Sequence, residues 1–461
     1  MGSNVSSVVI LGLARQGKAL ARFFAGQGVR VTVSDVRKPE ALQGIVAELA
    51  DLPIHYVLGA HPLSLLDGCD LFCTSGGVPA DLPVVQEAMR RGIPLSNDAQ
   101  EFLRRCPAPV VGITGSAGKT TTTTLVGDML RAAGLTTWVG GNIGNPLIAD
   151  LARIRPADWV VMELSSFQLE VMAISPQVAG VLNITPNHLD RHKTMETYIA
   201  AKRTIVAHQK PADVAVLGYD EPNARGLASA TAAQVRYFSG QTEVEEGAFL
   251  RGDALILRRG GRETEVCRRA DLRLRGLHNV VNVLAAGTLA DAAGAPVAAM
   301  RRAIEAFTGV EHRLEVVRSW KGALWVNDSI ATAPERVLAA LDSFDEPLIL
   351  LAGGRDKDLP WEAFARQVVR RVRVLVVFGE AAGLIRGHVE AAEARIRESA
   401  SPQIGLEEIA AARTMEDAVR EAAERVRSGD VVLLSPGGTS FDAFHDFAER
   451  GERFRDLVMA L

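Results

Sequence analysis

Between Pro109 and Ala133 the chain has to leave a buried strand, pass through glycines and enter a helix at once. Pro109-Val-Val-Gly-Ile113 is a short apolar run, and Thr121–Ala133 repeats Leu125, Val126, Met129 and Leu130 at helical spacing. The connecting segment Gly112-Ile-Thr-Gly115-Ser116-Ala117-Gly118-Lys119-Thr120-Thr121 would aim free backbone N–H groups and the positive end of a helix at an anion. Lys119 is placed to reach outer phosphates, and the Thr120 hydroxyl stands where a magnesium ligand belongs. An ordinary tight turn is the competing reading, because Ile113 occupies a position where the general phosphate-loop pattern has glycine. Thr120–Thr124 is a run of five threonines, poor helix material, which predicts that something other than propensity uses those hydroxyls.

At 461 residues the chain exceeds a single ordinary core, and two to four domains are expected. Its hydrophobic content of 48% and charged content of 23% describe a globular protein, and a net charge of −4 provides no basic footprint for nucleic acid. Cysteines at 69, 73, 106 and 267 suggest neither a disulfide framework nor a zinc site, which points to a reducing, cytoplasmic setting. Met1-Gly-Ser-Asn4 leads into a strand without a signal-peptide core, and no apolar run approaches the roughly 18 residues of a membrane span, so no membrane insertion is expected.

Strands and helices alternate in three blocks, which predicts an α/β protein with mainly parallel sheets. The expected domains are residues 1–105, 106–309 and 310–461. The first block opens with Val8-Val-Ile-Leu11, the turn Gly12-Leu13-Ala14-Arg15-Gln-Gly17, a helix over Lys18–Ala25 and a strand from Val29 to Val33 ending at Asp35. This is similar to a Rossmann first unit with Ala14 at the middle glycine, although a plain packing turn and a solvated Asp35 fit equally well. The second block carries the strands Trp159–Met162, Val178–Leu182 and Val214–Leu217, then an arginine-rich stretch from Arg251 to Arg275 that reads as short β-hairpins, and a helix over Asn279–Ala293. The third carries Leu324–Val326, Leu348–Leu351, Val374–Phe378 and Val431–Leu434. Each of these strands runs into a polar or glycine loop, where open α/β sheets bind ligands.

Polar residues in the second block bear the chemistry. Glu163 closes an apolar strand in Met162-Glu-Leu-Ser-Ser-Phe-Gln-Leu-Glu170, so a carboxylate would emerge beside the phosphate loop as a natural magnesium ligand; an incidental strand-end charge is the alternative. His188 lies just past another strand, where it is either a ligand or an ordinary structural histidine. Lys202, in Tyr198-Ile-Ala-Ala-Lys202, reads on its own as a solvated helix lysine.

Eight motifs occur in a fixed order: Thr114-Gly-Ser-Ala-Gly-Lys-Thr, Gly140-Gly-Asn142-Ile-Gly, Glu163-Leu-Ser-Ser-Phe-Gln-Leu-Glu, Asn187-His188-Leu-Asp-Arg, Ala201-Lys202, His278-Asn279-Val-Val-Asn282, Glu311-His312-Arg313 and Asn327-Asp328-Ser329. In order and spacing they resemble the Mur ligase family, closest to its glutamate-adding branch, over nearly the whole chain. The resemblance implies a Rossmann-like N-terminal domain binding a UDP-sugar, a central ATPase domain with a phosphate loop, and a Rossmann-like C-terminal domain that closes over both. It implies ATP-dependent joining of glutamate, D-glutamate ahead of L-glutamate, to UDP-N-acetylmuramoyl-L-alanine through an acyl phosphate, in peptidoglycan precursor synthesis, by a monomer acting on small molecules.

Carried over residue by residue, Gly12, Leu13, Ala14, Arg15, Gly17 and Asn142 hold the diphosphate of the UDP-substrate, and Asp35 and Arg37 meet its uracil end. His188 is carried over to that substrate site as well. Gly115, Ser116, Ala117, Gly118, Lys119, Thr120 and Thr121 bind ATP, with Asn279 at adenine and Arg313 and Asp328 contributing from the C-terminal domain. Thr120 and Glu163 hold a first Mg2+, or Mn2+ in its place. His188 and Lys202 serve a second, Lys202 as a carbamate; Lys119, His188 and Lys202 are the catalytic candidates. Thr332, Lys357, Ser440 and the backbone at Phe447 grip glutamate.

Three positions depart from the family pattern. Ile330 stands where D-glutamate ligases usually have lysine, Arg355 introduces a charge that could return the lost one, and Ala117 replaces the usual asparagine. An L-glutamate-adding ligase on the same precursor is the nearest rival. A folylpolyglutamate-type ligase would leave the Asp35 block and the Gly140–Gly144 loop without a purpose, and a noncatalytic partner of an amidotransferase would need a cysteine-rich insert that this sequence lacks.

Overall fold

The computed structural model describes residues 5–274, 276–398 and 403–461. Met1–Asn4, Arg275, Ser399–Pro402 and the side chain of Asp190 lie outside the described residues. The chain forms two compact units, one running to Leu272 and resuming over Leu277–Phe307, the other built on Thr308–Leu461.

The first unit holds two sheets. Five parallel strands make up the first, in the spatial order Ile54–Leu58, Arg30–Asp35, Ser7–Leu11, Leu71–Thr74 and Leu95–Ser96. Winding reverses at the fully buried strand Ser7–Leu11, and a doubly wound sheet binds its ligands past the carboxyl end of such a strand. There the chain turns sharply at Gly12, whose φ of +87° suits glycine. It then enters the helix Arg15–Gly26, longer at both ends than its periodicity predicts. Gly17 lets the first turn of that helix press on the loop, since a Cβ at 17 would fall 1.8 Å from the carbonyl oxygen of Gly12.

The second sheet has nine strands. Seven are parallel, in the order Gly247–Arg251, Gln234–Ser239, Val214–Gly218, Val178–Val181, Val110–Thr114, Trp159–Glu163 and Thr137–Gly141. The arginine-rich stretch continues it as the antiparallel strands Ala254–Arg259 and Arg262–Arg268. Val110–Thr114 is buried along its whole length, which is why it reads as an unbroken apolar run. The helix Lys119–Ala132 follows it and buries Leu125, Val126, Met129 and Leu130 completely.

In the second unit the order is Glu315–Trp320, Ala323–Asn327, Val431–Gly437, Leu348–Gly353, Val372–Phe378 and Glu408–Ala411, parallel except for the first strand. The carboxyl ends of Ala323–Asn327, Val431–Gly437 and Leu348–Gly353 therefore lie side by side. Strands that the sequence pattern leaves unread are mostly at sheet edges, such as Ile54–Leu58, Thr137–Gly141 and Glu408–Ala411; half-exposed residues blur the apolar signal there.

The close approach at Gly17 generates a prediction. Gly17→Ala should cost about 1–3 kcal/mol through overpacking against backbone. Hydrogen exchange should quicken in the strands Ser7–Leu11 and Arg30–Asp35 and stay unchanged in the sheet of the second unit; unaltered exchange in the first sheet would refute the packing argument.

Candidate functional site

Gly115 to Gly118 form the loop between the strand Val110–Thr114 and the helix Lys119–Ala132, and Gly118 caps that helix with a left-handed φ of +82°. A Cβ at Gly118 would lie 2.2 Å from Asn282 Oδ1, so both conformation and space require glycine. Asn183 fixes the other side of the loop: its carbonyl accepts from Ser116 N at 2.9 Å, its Oδ1 accepts from Ala117 N at 2.8 Å, and its Nδ2 donates to Ala117 O at 3.2 Å. The side chain missing at Ala117 thus leaves the loop still pinned through backbone. Ser116 Oγ donates to Thr185 O at 2.9 Å and lies 3.0 Å from the Tyr198 hydroxyl. Lys119 curls back, its Nζ donating to Gly115 O at 2.8 Å.

Register brings the carboxylate to this loop. Ile113 pairs with Glu163 on the neighbouring parallel strand, and Thr120 Oγ1 donates to Glu163 Oε2 at 2.9 Å. Asn142 Nδ2 donates to the other oxygen, Oε1, at 2.8 Å, while Asn142 N donates to Glu163 O at 2.9 Å. Glu163 is 2% exposed, so a strand-end solvent charge is excluded. The oxygen donors of Thr120 and Glu163, side by side at a phosphate-type loop, fit a hard cation that keeps some water and phosphate ligands. Among the described residues no three His, Cys, Asp or Glu side chains already converge into a metal cage.

Of the remaining threonines, Thr121 is buried at the helix start. The hydroxyls of Thr122 and Thr123 are buried without a hydrogen-bond partner among the described residues. Expected use of the threonine run is therefore realised at Thr120 and not at these two.

Lys202 is not the solvated helix lysine that its local sequence suggests: the residue is 1% exposed. It lies on the helix Met195–Ala207, and its Nζ donates to Gly115 O at 3.0 Å and to Thr114 Oγ1 at 3.2 Å, with the Tyr198 ring centroid 4.8 Å away. Burial first, then the charge of Lys119, drives its pKa well below the ordinary lysine range, against the opposite pull of Glu163. His188 adopts φ +54° at the head of the short helix Leu189–His192, its ring edge-on to Phe167 with centroids 5.2 Å apart. His192, buried, stacks on the Phe167 ring with centroids 5.3 Å apart and lies 3.0 Å from Ser166 Oγ.

At the first sheet, Asp35 is buried and accepts from Leu13 N at 2.8 Å, from Arg37 N and Nε at 2.9 Å, and from Arg37 Nη2 at 2.7 Å. Burial raises its pKa, but the hydrogen bonds from Arg37 and Leu13 win and hold it down to about 2. This carboxylate locks the Gly12 turn, which a plain solvated aspartate could not do. The Leu13 side chain is core, Ala14 caps the helix, and Arg15 Nη2 reaches Asn142 O at 3.3 Å, joining the turn to the Gly140–Gly144 loop. Asn279 lies in the first turn of the helix Leu277–Ala292, with its Oδ1 accepting from Asn282 Nδ2 at 3.1 Å.

In the second unit, Thr332 Oγ1 accepts from Lys357 Nζ at 3.2 Å, joining the loops after Asn327 and Gly353. Ser440 is buried, with its carbonyl accepting from Phe444 N at 2.8 Å, and Phe447 O accepts from Ser329 Oγ at 2.7 Å. Asp328 accepts from Ser435 Oγ at 2.7 Å and Leu314 N at 3.2 Å. Burial raises its pKa to about 7, opposed by those bonds and by the charges of Arg313 and Arg336. Arg355 is tied to Glu380 at 2.7 and 2.9 Å, so it does not replace the charge absent at Ile330.

Sequence reasoning gave no role to Asn183, Tyr198, Asn282, Arg336 or Arg450. Asn282 and Tyr198 stand inside stretches that the sequence already singles out; Arg336 bonds Ile330 six positions earlier, while Asn183 and Arg450 act through contacts distant in sequence. Arg450 is fully buried, donating from Nε to Ser329 Oγ, from Nη1 to Gly438 O and from Nη2 to Ser329 O at 3.0, 3.1 and 2.8 Å.

A glycine loop cradling a helix start, with a buried carboxylate and a threonine hydroxyl beside it, defines an α/β enzyme that handles nucleotide phosphates. Residues 6–97 match the Mur ligase MurD-like N-terminal domain, 113–290 the Mur ligase middle domain and 312–438 the Mur ligase glutamate ligase domain. The chain belongs to the Mur ligase family. It is 45% identical to the UDP-N-acetylmuramoylalanine--D-glutamate ligase of Symbiobacterium thermophilum, over 98% of this chain and 97% of that protein. The enzyme of the same name from Pelotomaculum thermopropionicum is 40% identical over 98% and 97%. Among solved structures, MurF from Acinetobacter baumannii aligns with a TM-score of 0.60 at 17% identity, over 98% of this chain and 93% of that one. The UDP-N-acetylmuramate-alanine ligase MurC of Thermotoga maritima gives 0.58 at 19%, over 98% and 99%. At these identities the structures show the shared fold alone.

The state of Asp328 generates a prediction with a definite sign. Its folded pKa is raised from 3.8 to about 7, so its stabilising contribution is full below the unfolded value and is lost as pH rises through the folded one. Relative to Asp328→Asn, the wild-type protein should lose thermal stability between about pH 4 and pH 7. A difference in melting temperature that stays flat across that window would contradict the assignment.

Proposed function

We propose that this protein joins D-glutamate to the alanyl carboxylate of UDP-N-acetylmuramoyl-L-alanine, converting ATP to ADP and phosphate, as a monomeric cytoplasmic enzyme of peptidoglycan precursor synthesis. The observation that carries the reading is the convergence of Lys119, the Thr120–Glu163 pair and the buried Lys202 on one glycine loop, in a chain so similar throughout to ligases bearing that name. Residues 1–105 would serve the UDP-substrate, 106–309 ATP and 310–461 the amino acid.

A carboxylate is a poor electrophile and needs activation. One of its oxygens attacks the γ-phosphorus of ATP, the bond to the β–γ bridging oxygen breaks, and ADP leaves. Such a transfer is chiefly positioning and charge stabilisation, which the backbone N–H groups at the start of the helix Lys119–Ala132 and the Lys119 side chain would provide. Glu163 and the Thr120 hydroxyl would hold magnesium or manganese, which when bound offsets phosphate charge. The unprotonated amine of glutamate then attacks the acyl carbon, and phosphate leaves with the former carboxylate oxygen.

Gly12, Leu13, Ala14, Arg15, Gly17 and Asn142 are assigned to the UDP-sugar, with Asp35 and Arg37 toward uracil. Asp35 acts there by fixing Arg37 and the Gly12 turn. Asn279, Arg313 and Asp328 are assigned to the nucleotide, and Thr332, Lys357, Ser440 and Phe447 to glutamate. His188 and Lys202 are assigned to a second cation. The depressed pKa of Lys202 favours the free amine, the form that adds carbon dioxide and releases a proton to become an anionic carbamate.

Phosphate release measured with every combination of substrates tests the reaction. It should require ATP, UDP-N-acetylmuramoyl-L-alanine and D-glutamate together, with L-glutamate far poorer; turnover that prefers L-glutamate or a folate would overturn the proposal. For the carbamate, Lys202→Ala should lower kcat about 100-fold or more and regain part of it with added short carboxylic acids. Full activity in the unsupplemented variant would remove Lys202 from the mechanism.

A further inference from the structure

The helix Leu189–His192 is a single turn, flanked by His188 and Lys193, two non-glycine residues at φ +54° and +67°. One turn does not hold itself, and left-handed residues other than glycine persist only where their surroundings fix them. The position of His188 is therefore set from outside its own segment. One fixed surface is the Phe167 ring, which meets His188 edge-on and belongs to the helix Ser166–Leu169. That helix is anchored in turn: a capping box joins Ser165 to Gln168, and Asn97 Nδ2 donates to Gln168 O at 2.7 Å.

Arg191 extends the arrangement to the first sheet. Its guanidinium lies over the Phe167 ring, 4.7 Å from the centroid, and its Nη1 and Nη2 donate to the carbonyls of Gly77 and Val78, both at 3.2 Å. A planar cation stacked on an aromatic face still presents its edge as a fork of donors, which lysine does not have. Residues 75–78 follow the strand Leu71–Thr74, the neighbour of Ser7–Leu11, and press on the Gly12 turn. Ser75 Oγ donates to Gly12 O at 3.0 Å, Gly76 N donates to Gln16 Oε1 at 3.0 Å, and a Cβ at Gly12 would meet Val78 Cγ2 at 3.3 Å. Arg191 thus ties the cover of the Gly12 turn to the segment that carries His188, across 114 and 113 positions of sequence.

We propose that Arg191 is a positioning residue that couples these two places: a nucleotide diphosphate seated at the Gly12 turn fixes residues 75–78 and, through Arg191 and Phe167, fixes His188. The coupling rests on the reading of the Gly12 turn as the UDP-substrate site and of His188 as a residue of the reaction. To that reading it adds the means by which the nucleotide end of the substrate sets a side chain at the reacting end. Arg191 closes the motif Asn187-His188-Leu-Asp-Arg, where the sequence alone assigns it nothing. Both its bonds go to main-chain carbonyls, so the side chain holds the path of the backbone at residues 77 and 78 whatever side chains stand there.

Hydrogen exchange of the full chain, with UDP alone as the probe, tests the coupling, because UDP lacks the sugar and the alanyl group. In the wild-type protein UDP should slow exchange at residues 12–17 and 75–78 and also at residues 187–193. In Arg191→Met, which keeps an apolar stem on Phe167, the slowing should persist at residues 12–17 and disappear at residues 187–193. Its kcat should fall about tenfold or more, the loss of a charged hydrogen-bonded contact, with the KM for ATP unchanged. Should methionine at 191 cost the fold, Arg191→Lys carries the test: it keeps the charge, loses the fork, and should still show less slowing at residues 187–193 than the wild type. Slowing there that is equal in variant and wild type, or absent from the wild type while residues 12–17 are protected, overturns the coupling, as does a wild-type kcat in Arg191→Met. A wild-type protein in which UDP protects nothing in the first sheet would instead bring down the assignment of the Gly12 turn, so the two failures are distinct.

Discussion

The pairing of Ile113 with Glu163 is the constraint on which the first unit's site depends. Because the two strands are parallel and end together, the carboxylate arrives beside the helix that the phosphate loop starts. Its two oxygens are divided between the Thr120 hydroxyl and the Asn142 amide. Slip that register by one residue and the side chain turns to the opposite face of the sheet. The same carboxylate also carries the only hydrogen-bonded route from the loop, through Asn142 and Arg15, to the glycine turn of the first sheet among the bonds described above.

Opposed charges are handled differently in the two units. Near the phosphate loop a lysine is buried against carbonyl and hydroxyl oxygens and is pushed toward its neutral form, which lessens the cost of burying a cation. In the second unit burial raises the pKa of Asp328 to about 7, against the pull of the nearby Arg313 and Arg336 charges.

How much of this could be read from the sequence follows from the range of each interaction. The phosphate loop, its strand and its helix are fixed by neighbours in the chain, and Gly118 and Thr120 sit where spacing alone puts them. Glu163 was legible because a single charge ended a buried apolar strand. Lys202 was not legible from its helix, since its burial depends on Thr114 and Gly115, 88 and 87 residues away. Resemblance to relatives supplied what local pattern could not. Arg355 and Arg336 show the opposite failure: a charge at a suggestive position is consumed by Glu380, while one without any motif folds back onto Ile330. Side-chain direction decides between them, and no sequence period encodes it.

Oxygen transfer tests the central claim most directly. With 18O in the alanyl carboxylate of UDP-N-acetylmuramoyl-L-alanine, phosphate released during D-glutamate-dependent turnover should carry a single label, because the attacking carboxylate oxygen departs with the phosphoryl group. Unlabelled phosphate formed at the full rate of product formation would contradict carboxylate activation at the Gly115–Thr120 loop.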